Sequence, residues 1–445
     1  MSHEPGPAPE APPPATSSAP STRAVPEPRA LASAVRALQA VLPADVVEIF
    51  RHVMATNLGE VAQVREDGSV FILTGDIPAM WLRDSAAQLR PYVLLCEDDP
   101  DLQDVLVGVL RRQLLFLRTD PYANSFTDLR PSRHADDVTD AGPVTWERKF
   151  ELDSLCFPVD LAHRLWRVTG RTDHLDAVAH EAFSTILDVL ETEQDHEQRS
   201  PYRFERLDGP ATDTLVRGGR GRPTTPCGLV WSGFRPSDDA CELGFNIPGN
   251  MFVAVATAQI AELADQVLQD PALAERAGRL SGSVRAAVES HGVATLSDGT
   301  RVYAYEVDGS GGQLLMDDAN MPSLLSAPLT GYLGAGDPLY LSTRAFVLSP
   351  ANPYFYRGSH AAGIGSPHTP PGYVWPIALA VQGLTSTDPD ESRSCLETLA
   401  ATTAGTGRMH ESFDPDAPEN FTRPWFSWSD AMFCELVLGQ APPQR

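Results

Sequence analysis

Two kinds of helical segment alternate along this chain, and the alternation limits what it can fold into. Apolar residues at helical spacing mark a first stretch carrying Leu31, Val35, Leu38, Leu42, Val46 and Ile49, which Pro43 divides into two helices. Further helical patterns lie at about 78–96, 101–119, 151–170, 175–194, 246–267, 271–292, 319–333, 338–347, 371–385, 390–404 and 427–438. With the first stretch counted once they number twelve, in six consecutive pairs. The first member of each pair is a plain amphipathic helix. The second starts beside a cluster of polar and aromatic residues: GDIPAMWLRDS (75–85), WERKFELDS (146–154), WSGFRPSDDACELGFNIPGN (231–250), MDDANMPS (316–323), PGYVWP (371–376) and WFSWSD (425–430).

Six inner helices ringed by six outer ones would bring all six clusters to one end. The expected fold is therefore mainly α, an (α/α)6 toroid of antiparallel helix pairs with a pit at its centre. An α-solenoid would show self-similarity at a fixed period, and none is seen. Short β excursions are expected at EVAQVREDGSVFILTG, where Asp67-Gly68 suits a hairpin turn, and at YRFERL (202–207) and RVYAYEV (301–307). Residues 1–28 are rich in Pro, Ala and Ser and nearly free of large apolar side chains. They read as a disordered tail ahead of a single domain over 29–445.

Composition removes several function classes. Of 445 residues, 42% are hydrophobic, enough for a sizeable core. Asp and Glu number 59 against 34 Lys and Arg, a net charge of −25, and the only lysine is Lys149. With no basic patch, such a surface repels phosphate backbones, so no nucleic-acid partner is expected. No apolar run approaches the ~20 residues of a bilayer span, and the start lacks the pattern of a secretory leader, so the expectation is a cytoplasmic protein without a membrane role. The six cysteines are scattered, with no Cys-x-x-Cys pair, and read as buried thiols.

A pit holding carboxylates, arginines and aromatic rings suits carbohydrate, whose C–H faces lie on rings and whose hydroxyls need charged partners. Trp81, Trp231, Tyr373, Trp375, Trp425 and Trp428 are candidate platforms; Arg83, Asp84, Asp153, Arg235, Asp317 and Asp318 are candidate hydroxyl binders. Core packing and structural ion pairs are the competing readings. Glycoside hydrolysis needs two carboxyl groups, one to protonate the leaving oxygen and one to act as base or nucleophile. The pair Asp238-Asp239 in FRPSDDA and Glu411 in RMHESFD are the candidates. Acidic pairs such as Asp317-Asp318 could suggest a hard cation, but such pairs recur by chance, and no metal or cofactor is expected. Phosphate-loop, dinucleotide, His-Glu-x-x-His and Gly-x-Ser-x-Gly patterns are all missing.

TGDIPAMWLRDSAAQLRPY, WERKFELDSLCFP, WSGFRPSDDAC, NIPGNMF, MDDANMPSLLSAPLTGY and MHESF, in this order, resemble the signature of glycoside hydrolase family 125 over about 30–440. The resemblance implies an (α/α)6 exo-α-1,6-mannosidase that inverts the anomeric centre without a metal and takes an α-1,6-mannoside as partner. It places the general acid at Asp238, with Asp239 as rival, and the general base at Glu411. Trp81, Arg83, Asp84, Asp153, Arg235, Asp317, Asp318, His360, Trp375 and His410 are then expected to hold the sugar. A different α-glycosidase or phosphorylase on the same toroid, or an inactive mannoside-binding protein, are the alternatives.

Overall fold

The computed structural model describes Val25 and residues 27–127 and 132–441. The expected tail over 1–28 lies outside them apart from Val25, Glu27 and Pro28. Twelve helices carry the architecture: α1 Ala44–Val61, α2 Leu82–Ala87, α3 Pro100–Thr119, α4 Leu152–Thr169, α5 Ala177–Glu193, α6 Ile247–Leu263, α7 Pro271–His291, α8 Ala327–Thr330, α9 Pro338–Val347, α10 Pro376–Leu384, α11 Pro389–Ala401 and α12 Ser427–Leu438. A further helix, Leu31–Leu38, precedes α1, and Pro43 stands at the start of α1, so this proline does divide the first stretch.

The even-numbered helices form the inner ring, packing in the order α8, α6, α4, α2, α12, α10. The odd-numbered ones lie outside. Helix α1 packs on α12 and α11, α3 on α4 and α5, α7 on α6 and α5, and α11 on α10 and α12. Inner helix α6 is apolar nearly all round, as a helix buried on every side must be. Met251, Val253, Ala254 and Ile260 of α6 are all buried. Together with a following π turn, Ala264–Leu268, this helix is long and apolar enough by composition to cross a membrane, although no run of that kind was expected; half of the stretch is buried inside the ring.

The helix starts differ between the rings. Five outer helices begin at an aspartate whose carboxylate accepts from first-turn backbone N–H groups: Asp99, Asp176, Asp270, Asp337 and Asp388. In four of them proline follows at once, where its fixed φ and missing N–H fit the first turn. Of the inner helices only α6 has such a cap, Asn246. Helices α2, α4, α10 and α12 start after Trp81, Glu151, Trp375 and Phe426, with no side-chain cap.

Three expected elements change. The pattern over 78–96 splits into α2 and a short turn, Arg90–Val93, that has Pro91 in its first turn. The pattern over 319–333 shrinks to the single turn α8, because Pro322 cannot continue a helix and the buried Asp317 carboxylate takes the N–H groups of Leu324 and Leu325 at 2.9 and 3.0 Å. YRFERL forms only one bridge, Glu205 to Val138. The Asp67-Gly68 hairpin is present, with Ala62–Val64 paired to Val70–Ile72. RVYAYEV becomes two strands, Arg301–Tyr303 and Glu306–Val307, which join different sheets.

Candidate active site

The inner-helix starts surround a pit of about 350 Å³, and every one of the six clusters reaches it. The first contributes Trp81, Arg83 and Asp84, the second Glu147 and Lys149, the third Ser237 and Asp238, the fourth Asn320, the fifth Trp375, and the sixth Phe426 and Trp428. His368, Glu411 and Arg423 enter from loops and a hairpin between helices. Close approach of the first and last clusters needs Gly75, whose φ is +69°; a Cβ there would lie 2.8 Å from the Trp425 carbonyl oxygen.

Arg83, on the first turn of α2, is the hub of one wall. Its Nη1 donates to Glu151 Oε2 at 2.5 Å and to Asp153 Oδ2 at 3.2 Å, and its Nη2 to Asp238 Oδ1 at 3.3 Å. Asp84 Oδ2 lies 3.2 Å from Nε. One guanidinium thus faces four carboxyl groups in a dry setting, where like charges cannot all stay ionised. Burial pushes Asp84 up to about 6, with Arg83 offsetting only part of the effect. Burial and the neighbouring carboxylates push Glu151 well above the usual range against the pull of Arg83. At Asp238 burial pushes upward too, but Arg83, a hydrogen bond from Glu151 and the charge of Lys149 outweigh it and hold this carboxyl low.

Asp238 sits in a tight turn with φ +69°, a left-handed conformation that costs a non-glycine residue on the order of 1 kcal/mol. The surroundings hold it there. Asp238 N donates to Arg235 O at 2.9 Å, Arg235 N to Asp239 O at 2.7 Å, and Lys149 Nζ to Asp238 O at 2.8 Å. Lys149 is itself fixed by Asp213 and by Glu147, 3.8 Å away.

Glu411 belongs to a different segment, just ahead of the strand Ser412–Phe413, which pairs with Phe421–Thr422 on the way into α12. Its Oε1 lies 3.5 Å from Arg423 Nη1. Arg423 in turn donates to Thr74 O at 2.8 Å and Asp76 Oδ1 at 2.6 Å, and lies over the Phe426 ring at 4.4 Å. His368 faces both carboxyl groups. Burial disfavours its charge, but Asp239, Asp238 and Glu411 overcome this and lift it to about 9.

Of the residues singled out in the sequence, Trp81, Arg83, Asp84, Asp238, Trp375 and Glu411 line the pit, as does Trp428. Asp153 stands behind Arg83. Asp239 is buried, with its carboxylate 3.6 Å from His368 Nδ1. Arg235 is bound to Glu306 at 2.6 Å, Asp317 braces the turn before α8, and Asp318 accepts from Ser237 Oγ at 2.7 Å. His410 is buried against Phe421, ring centroids 3.6 Å apart. His360 is exposed, its backbone N–H bound to Pro415 O; the histidine of the same string that reaches the pit is His368. Trp231 stacks on His196 in the core, and Trp425 donates to Asn57.

Lys149, Glu147, Asp213, Arg206, Asn320, His368 and Arg423 reach the pit but were not foreseen. For Lys149 a signal existed, since the only lysine of the chain stands inside the second cluster. Three polar atoms of the wall residues have no hydrogen-bond partner among the described residues: Trp81 Nε1, Trp428 Nε1 and Asn320 Oδ1. Leaving such groups unsatisfied costs roughly 1–3 kcal/mol each, which suits a site meant to take a polar ligand.

Comparison with known proteins agrees with this layout. A family model described as metal-independent alpha-mannosidase (GH125) matches residues 43–438. The meiotically up-regulated gene 157 protein of Schizosaccharomyces pombe is 38% identical over 422 residues, 88% of this chain and 82% of that protein. A Streptococcus pneumoniae structure is 44% identical, with TM-score 0.89 over 92% of this chain and 96% of that one. It belongs to work on metal-independent α-mannosidases and is a non-productive substrate complex with α-1,6-mannobiose. A bacterial glucoamylase complexed with acarbose shares the fold alone, with TM-score 0.59, 13% identity, and coverage of 91% of this chain and 56% of that one. With a family match that spans both catalytic candidates and all six clusters, the chain belongs to glycoside hydrolase family 125, the metal-independent α-mannosidases.

Proposed function

We propose that the protein removes terminal non-reducing α-1,6-linked mannose with inversion, Asp238 acting as general acid and Glu411 as general base. The observation that carries this reading is the meeting of these two carboxyl groups in one pit, each with its own arginine, on segments that enter α6 and α12 across the ring. The α-1,6-mannobiose bound by the similar Streptococcus pneumoniae protein supports the linkage. A hydroxyl-rich ring set between Trp81, Trp375 and Trp428 would supply partners for the unpaired wall atoms. A pit admits a chain end, which supports exo action.

In this mechanism Asp238 gives a proton to the glycosidic oxygen as its bond to C1 breaks. Glu411 takes a proton from the water whose oxygen bonds to C1 from the other face, and that single displacement inverts the centre. Lys149, Arg83 and the turn at 235–239 hold the acid in place. The test is hydrolysis of α-1,6-mannobiose in EDTA, followed by early proton NMR. β-Mannose appearing first is the expected result. α-Mannose first would require a covalent intermediate instead, and dependence on inorganic phosphate would mean a phosphorylase. Glu411→Gln should cut turnover by about 10²–10⁴-fold or more while mannobiose still binds by calorimetry; undiminished turnover removes Glu411 from the mechanism.

A further inference from the structure

One carboxyl group of the Arg83 wall has no role in that mechanism. Glu151 precedes the first residue of α4, and its side chain is fully buried behind the pit. Its Oε2 accepts from Arg83 Nη1 at 2.5 Å and from Ser154 Oγ at 3.2 Å; its Oε1 accepts from Asn124 Nδ2 at 3.1 Å. Both Arg83 and Asn124 also reach Asp238 Oδ1, from Nη2 at 3.3 Å and Nδ2 at 3.5 Å. The two carboxyl groups therefore share two donors, Arg83 and Asn124, and converge on them from the chain's second and third clusters. Two carboxyl groups gathered on the same donors in a buried setting repel when both are ionised, which favours one proton held by the pair.

The charges facing the pair come from every side. Arg83 and Asp84 belong to α2, Asp153 to α4 itself, Glu147 and Lys149 to the second cluster, and His368 to the loop before α10. Tyr202 and Cys241 also face Glu151, and burial keeps both neutral. Arg83, Lys149 and His368 all favour an ionised Asp238. An acid with these neighbours alone would lose its proton below neutral pH.

We propose that Glu151 is a positioning residue that stores the proton Asp238 delivers, a role that rests on Asp238 being the general acid. With mannoside seated, the Glu151 O–H proton crosses to Asp238 and Glu151 stays as a carboxylate against Arg83. Asp238 passes the proton to the leaving oxygen while Glu411 takes one from water. After product leaves, Glu411 releases its proton to solvent and the Glu151–Asp238 pair takes one up, so each cycle consumes one water and nothing else. The directions of titration agree: Glu151 is raised and Asp238 lowered, as expected when the resting proton sits on Glu151.

The experiment compares wild type with Glu151→Gln on two substrates, α-1,6-mannobiose and 2,4-dinitrophenyl α-mannoside, whose leaving group departs without protonation. The alkaline limb of kcat/KM reports the acid of the free enzyme. In Glu151→Gln the limb for mannobiose should fall by about one pH unit or more, and the rate at pH 7 about ten-fold or more, with the aryl mannoside nearly unaffected. Equal losses on both substrates, or an unmoved limb, would overturn the storage role. Should Glu151→Gln fail to fold, Ser154→Ala takes a donor from the ionised Glu151 and should move the limb upward; an unmoved limb there overturns the proposal as well. Wild type that cleaves neither substrate removes the role of Asp238 itself, and this proposal with it.

Discussion

The outer and inner helices of this toroid begin in opposite ways. An outer helix such as α9 starts with Asp337 and Pro338, and the aspartate satisfies its own first turn. An inner helix such as α2 starts at Trp81 without a cap, and its first-turn charges, Arg83 and Asp84, turn to each other and to the pit. Outer starts other than that of α1 are closed by local chemistry. Inner starts other than that of α6 carry no side-chain cap, and the partners of their charges come from other segments, Glu151 and Asp238 for Arg83, Met409 and Arg408 for Asp430. The lesson is that the capped outer starts serve the fold alone, whereas the inner starts serve the fold and the pit together.

That contrast can be broken in order of expected size. Arg83→Met leaves four carboxyl groups around an uncharged side chain. It should abolish mannobiose hydrolysis and cost about 3–5 kcal/mol in denaturant unfolding, the range for stripping a buried charge network of one partner. A variant as stable as wild type would mean that the hub contributes nothing to folding.

Asp430→Asn probes an inner start through pH. Burial pushes this carboxyl up to about 7, and donation from Met409 N and Arg408 offsets only part of that. A raised acid stabilises the fold fully below its unfolded value of 3.8, and that contribution is lost as pH rises through about 7. Wild type should therefore lose melting temperature between pH 4 and 8 by on the order of a degree or two more than Asp430→Asn. Parallel curves in calorimetry would reject the assignment.

The smallest effect belongs to an outer start. Asp337→Ala removes the acceptor for Leu339 and Tyr340 N–H groups and should cost about 1 kcal/mol, with kcat/KM unchanged. A clear loss of activity there would show that the two rings are not separable.

How far the site could be read in advance follows from these starts. Trp81, Arg83, Asp84 and Trp375 sit where a cluster meets a helix, so periodicity alone put them at the rim. Asp238 and Asp239 are neighbours in sequence, and only the left-handed turn at Asp238 presents one to the pit and the other to His368. His360 and His368 lie in one string, and the strand pairing of 355–357 with 362–364 leaves the first outside and carries the second in. Arg423 and Glu411 are brought together by a hairpin with no local pattern to announce it. The helix expected over 319–333 failed because a buried carboxylate, Asp317, competed successfully for its N–H groups.

The sequence by itself determined the helix count, the pairing of plain with cluster-led helices, the Pro43 break, the Asp67-Gly68 hairpin and the string of motifs that marks the family. These are properties of neighbours along the chain, set by side-chain period, proline geometry and turn preference. Only the tertiary structure decided which residue of each cluster faces the pit, that Asp317, Asp318 and Arg235 brace it from behind, and that one arginine gathers four carboxyl groups around itself. Those outcomes depend on burial and on charges from segments far apart in sequence, whose effects arise only once water has been excluded between them.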